Sequence, residues 1–86
     1  LESLISFILL PIFKMDDRDL ILKIGKRIKE IRLSKPMTLD ELAAASNMDN
    51  ANIARLESGN TNPTIRTLYK ISRGLKVKLK ELVDVE

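Results

Sequence analysis

Thr38-Leu-Asp-Glu-Leu-Ala-Ala-Ala-Ser-Asn-Met-Asp-Asn-Ala-Asn-Ile-Ala-Arg-Leu-Glu-Ser-Gly59 carries the strongest structural signal in the chain. Thr38 followed three residues later by Glu41 is a capping-box pair, which predicts a helix from Leu39 to about Ser46. Asn47 sits at the break, and asparagine tolerates the left-handed backbone that a sharp turn needs. Asp49 then caps a second short helix that ends at Gly59. Leu42, Ala43, Met48, Ile53 and Leu56 fall where two crossed helices must touch. Asn50, Ala51, Asn52 and Arg55 are left pointing away from that contact.

The flanks continue the helical pattern. Upstream, Ile21, Ile24, Ile28 and Ile31 recur at helical spacing and predict a first helix from about Asp19 to Ser34, with its basic residues on the other faces. Asp16, Asp17 and Asp19 supply negative charge and a cap at its start, and Pro36 closes the connection after it. Downstream, Asn60-Thr-Asn-Pro-Thr64 is dense in turn formers. Thr64 caps a fourth helix whose stripe is Ile65, Leu68 and Ile71, with Gly74 as its expected stop. A last short helix near Lys78–Val83 presents Leu79, Leu82 and Val83. The chain reads as all-α, with five short helices. Two short helices locked across a tight turn, with a polar outer face on the second, form a helix-turn-helix, whose second helix enters the DNA major groove.

Composition narrows the function classes. Eighty-six residues at 44% hydrophobic content make one domain with a small cooperative core. There is no cysteine, which excludes disulfides, thiolate metal sites and thiol nucleophiles. There is no histidine either, so the commonest general base and neutral metal ligand are missing. No aspartate-rich loop of the calcium-binding type is present. An enzyme is not expected, and no cofactor or metal is implied.

The net charge of +3 is unevenly placed. Residues 20–35 carry six basic groups (Lys23, Lys26, Arg27, Lys29, Arg32 and Lys35) against Glu30 alone, and residues 64–86 carry six more against three acids. Residues 36–63 set only Arg55 against Asp40, Glu41, Asp49 and Glu57, a net charge of −3. Basic flanks suit phosphate attraction, although solvated helical faces look the same.

Residues 1–14 differ from the rest. Leu-Glu-Ser-Leu-Ile-Ser-Phe-Ile-Leu-Leu-Pro-Ile-Phe holds both phenylalanines and almost no charge. It is too short to span a bilayer, and Glu2 stands where a signal peptide would be basic. Two readings stay open. The segment is an addition upstream of Met15, or it is native and buries itself against the domain or a partner chain. The working domain is expected over 15–86.

The order and spacing of these motifs resemble the phage repressor and Cro group of helix-turn-helix proteins, the xenobiotic-response-element-like family. The carriers are Ile24-Gly-Lys-Arg-Ile-Lys-Glu-Ile-Arg32, Met37-Thr-Leu-Asp-Glu-Leu-Ala43, Ile53-Ala-Arg-Leu-Glu-Ser-Gly59, Asn62-Pro-Thr64 and Leu68-Tyr-Lys-Ile71. The resemblance implies a compact five-helix, lambda-repressor-like domain in which the second and third helices form the helix-turn-helix. It implies base contacts from Asn50, Ala51 and Arg55: arginine forks onto guanine, asparagine onto adenine, and alanine meets a thymine methyl. Thr38, Leu39, Asn52, Ser58, Asn60, Thr61 and Asn62 match positions that contact the DNA backbone. Arg32 and Glu57 match an internal ion pair. Two departures stand out: Asn47 replaces the usual turn glycine, and the loop after the third helix is neutral where relatives are often basic.

Other features have structural readings. Gly25 in mid-helix implies close helix packing. Asp40 and Glu41 fit capping and the helix dipole better than acid–base catalysis. Tyr69 is expected as a partly buried core ring rather than a base-stacking platform. The leading expectation is a cytoplasmic regulator that binds a near-palindromic operator in double-stranded DNA as a homodimer. Its expected dimer surface is Leu75, Val77, Leu79, Leu82 and Val83. The competing expectation is a protein-interaction module on the same fold, such as an antitoxin sequestering a toxin. No membrane association is expected.

Overall fold

A computed structural model describes residues 16–86, so both readings of residues 1–14 lie outside the described residues. Five helices and no strand are found among them: α1 (Asp17–Ser34), α2 (Leu39–Ser46), α3 (Asn50–Glu57), α4 (Ile65–Leu75) and α5 (Leu79–Val83). None of these helices is long and apolar enough to cross a membrane.

Helix α1 starts two residues earlier than its apolar stripe predicts. The Asp16 carboxylate accepts from the Asp19 amide at 2.9 Å, and this cap admits the exposed residues Asp17, Arg18 and Asp19 to the helix ahead of Leu20, the first residue to pack on the core. The capping box of α2 is present on both sides. The Glu41 amide donates to Thr38 Oγ1, and the Thr38 amide donates to Glu41 Oε1, each at 3.1 Å. Asn47 closes α2 in the left-handed region at φ 54° and ψ 50°, and Asp49 and Thr64 cap α3 and α4.

Ile24, Ile28, Ile31, Leu42, Ala43, Ile53, Leu56, Leu68, Ile71, Leu75 and Leu82 form one buried core fed by all five helices. Helix α1 lies against α3 at Gly25, where any Cβ would collide with the Leu56 carbonyl oxygen and sit 3.0 Å from that of Glu57. Close approach is therefore the reason for a mid-helix glycine there. Gly74 plays the same part against Ser46, whose buried hydroxyl has no hydrogen-bond partner. This corrects the expected stop at Gly74. The helix runs on to Leu75 and is closed by Lys76 in the left-handed region at φ 58°.

Three expectations about side chains also change. Ile65, placed in the α4 stripe, is 69% exposed because it is the first residue of the helix and faces outward. Tyr69 is 49% exposed, with the Arg73 guanidinium over its ring, and is not a core residue. Leu75 and Leu82, expected on a dimer surface, are 1% and 0% exposed within the single chain. Their surface is already used in the core. Val77 and Leu79 pack half-buried against that core, and Val83 is the open member at 40%.

Candidate nucleic-acid interface

The candidate surface is built from α2, α3 and the loop that follows. Helix α3 has one wholly buried side, Ile53 and Leu56, and an opposite side on which Asn50, Ala51 and Arg55 are exposed. Eight residues give about two turns, enough for one buried ridge and one outward row.

The outward row is held by hydrogen bonds. Asn50 Nδ2 donates to Asp40 Oδ1 at 2.6 Å, linking the start of α3 to the first turn of α2. Asp49 Oδ1 accepts from the Asn52 amide at 2.8 Å and its Oδ2 accepts from Asn52 Nδ2 at 3.3 Å. Asn52 Oδ1 in turn accepts from Arg55 Nη2. Asn52 is half-buried and engaged at both ends of its amide. The acids at 40 and 49 are legible as helix-start residues, but the reach of Asp40 across the turn to Asn50 is not.

The expected backbone-contact residues divide into two groups. Thr38 is the exposed cap of α2, while Leu39 is half-buried and packs against the core. Beyond α3, Ser58 Oγ donates back to the carbonyls of Ala54 and Arg55 at 2.9 and 3.2 Å and accepts from Asn60 Nδ2 at 3.1 Å. Thr61 and Asn62 line a cleft of about 210 Å³ with Asn52, the α4 cap Thr64 and the α4 residue Thr67. The cleft runs beside α3.

Helix α3 is fixed on its inner side by Arg32 and Glu57. Arg32 Nε and Nη2 donate to the two Glu57 carboxylate oxygens at 2.6 and 2.9 Å, and Nη1 donates to the Met37 carbonyl at 2.8 Å. Both side chains are more than nine-tenths buried. The hydrogen bonds to Glu57 raise the Arg32 guanidinium above its ordinary pKa; burial pulls the other way and loses.

These features define a helix-turn-helix protein with a polar, pre-bonded second helix. A family model described as helix-turn-helix matches residues 28–82, and the chain belongs to that family, the phage repressor and Cro group. It is 36% identical over 69 residues to the uncharacterised HTH-type transcriptional regulator y4dJ of Sinorhizobium fredii, covering 80% of this chain and 86% of that protein. It is 36% identical over 64 residues to the HTH-type transcriptional regulator SlrR of Bacillus subtilis, where it covers 73% of this chain but only 42% of the relative. The crystal structure of the restriction-modification controller protein C.AhdI from Aeromonas hydrophila superposes with a TM-score of 0.71 at 27% identity, covering 72% of this chain and 94% of that one.

Proposed function

We propose that the protein is a sequence-specific transcriptional regulator that binds a near-palindromic DNA operator as a homodimer in the cytoplasm. The observation that carries this reading is the exposed row Asn50, Ala51 and Arg55 above the buried row Ile53 and Leu56. Relatives named as transcriptional regulators and a restriction-modification controller support it.

In this reading α3 enters the major groove. Arg55 forks onto a guanine, Asn50 meets an adenine edge and Ala51 lies against a thymine methyl. The N-terminus of α2, at Thr38 and the Leu39 amide, meets a phosphate, as the helix dipole favours. Ser58, Asn60, Thr61 and Asn62 follow the backbone on the other side, and Asn52 reaches it from the flank of α3. One such unit reads only a few base pairs. Two copies on one face of the duplex, about 34 Å apart, supply the missing specificity. Val77, Leu79 and Val83 are the members of the expected dimer surface left outside the fully buried core.

Selection from a random duplex library at about 100 mM salt tests this reading, with Arg55→Ala in parallel. A two-fold symmetric motif is expected, with affinity of about 10⁻⁸–10⁻¹¹ M, relaxed at one base position by Arg55→Ala. Failure of the wild type to enrich any motif refutes it and favours a protein-interaction module.

A further inference from the structure

We infer that Asp40 and Asp49 set the base preference of the reading helix by fixing which atoms of Asn50, Asn52 and Arg55 face outward. This inference rests on the DNA-reading function proposed above. It gives a task to two of the four acids of the segment with net charge −3, the other two being Glu41 in the capping box and Glu57 in the pair with Arg32.

The terminal torsion of asparagine is broad and roughly two-fold, so an exposed asparagine presents either its oxygen or its nitrogen. An ionised carboxylate only accepts hydrogen bonds. Asp40 Oδ1, 2.6 Å from Asn50, therefore selects the nitrogen of that amide and leaves Oδ1 free on the other side. A free oxygen accepts from adenine N6 or cytosine N4. It is refused by thymine O4 and guanine O6, which are acceptors themselves.

Asp49 acts through one more link. Its two oxygens take the amide and the Nδ2 of Asn52, which turns Asn52 Oδ1 toward Arg55. One of the five guanidinium donors is then engaged and the others remain for a base edge. A long, mobile arginine is thereby held close to one geometry before DNA arrives. Both aspartates are exposed, so their charge also opposes nearby phosphates. The arrangement gives up some affinity for every duplex and gains discrimination between them. Asp40 and Asp49 are positioning residues, since neither needs to touch a base.

The test compares wild type, Asp40→Ala, Asn50→Ala and their double variant in competition binding against duplexes carrying each base at each motif position. Asp49→Ser is added because serine still caps α3 but has only one oxygen to offer. Asp40→Ala is expected to bind non-specific duplex as well as or better than wild type. Its discrimination should fall about five- to tenfold at the one position that Asn50→Ala also relaxes. In the Asn50→Ala background the Asp40 change should add nothing at that position. Asp49→Ser should relax the position read by Arg55, with an unchanged thermal midpoint. If the Asp40 and Asp49 variants change affinity for all duplexes by a common factor and keep their discrimination, the inference is overturned while the DNA-reading function stands. If wild type itself enriches no motif, both are overturned.

Discussion

Arg32 and Glu57 stand 25 residues apart in the chain and meet through two parallel hydrogen bonds of 2.6 and 2.9 Å, buried between α1 and α3. The pair joins the end of α1 to the end of α3. Its third bond, from Arg32 to the Met37 carbonyl, also holds the connection that leads into α2. One guanidinium thus organises three segments.

Breaking this pair from one side should be severe. Glu57→Ala leaves a buried guanidinium without its partner and is expected to cost about 3–5 kcal/mol, measured by urea unfolding. Replacing both residues by methionine should recover much of that loss, though the Met37 carbonyl stays unpaired. A loss below about 1 kcal/mol for Glu57→Ala would class the pair with exposed salt bridges. The arginine pKa is raised, so its contribution is complete below the ordinary arginine value and is lost only as pH climbs through the higher folded value. Stability should therefore show no arginine-linked step near neutral pH.

Gly25→Ala sets intrinsic propensity against packing. Alanine favours the helix by up to about 1 kcal/mol, yet its methyl group meets two backbone carbonyls that cannot rotate away. Overpacking of this kind costs about 1–3 kcal/mol, so a net loss of stability is expected. DNA affinity should drop in the same variant because the displaced partner is α3. A higher urea midpoint for Gly25→Ala would show that the helices part without penalty.

Ser46→Ala should act in the opposite direction. The serine hydroxyl is buried beside Gly74 with no hydrogen-bond partner. Removing an unsatisfied buried polar group is expected to stabilise the domain by about 1 kcal/mol. Thermal unfolding checks this, and a lower midpoint would mean that the hydroxyl is satisfied in solution.

Leu82 and Val83 are neighbours with separate tasks. Leu82 is fully buried, so Leu82→Ala should cost about 2–5 kcal/mol. Val83 is 40% exposed, and Val83→Glu should leave the fold intact while lowering dimer content in sedimentation experiments. A Val83→Glu protein that stays fully dimeric would move the dimer surface elsewhere.

The all-helical fold was legible because its signals are local. The Ile24, Ile28 and Ile31 stripe, the Thr38–Glu41 box and the left-handed Asn47 each depend on a few neighbouring residues. Arg32–Glu57 was available through family resemblance, since no local rule joins residues so far apart. Misreadings arose where one residue type serves two purposes. Gly74 looked like a helix stop but provides room for Ser46, and Leu75 and Leu82 looked like an outward patch but fill the core. On α3, the identity of the outward row follows from periodicity. The bond from Asn50 to Asp40 depends on the angle at which α3 crosses α2, which periodicity does not encode, whereas the Asp49–Asn52 bonds are local to the start of α3.

Arg27 Nε donates to the Glu81 carbonyl at 3.0 Å and so fastens the last helix to the first. The same first helix grips α3 through Gly25 and Arg32. In the proposed dimer, the surface that meets the partner and the helix that meets the bases are both bolted to one 18-residue rod. The molecule is then a fixed caliper. A single base pair inserted between half-sites shifts one of them by about 3.4 Å and turns it by about 35°, and a caliper without a joint cannot follow.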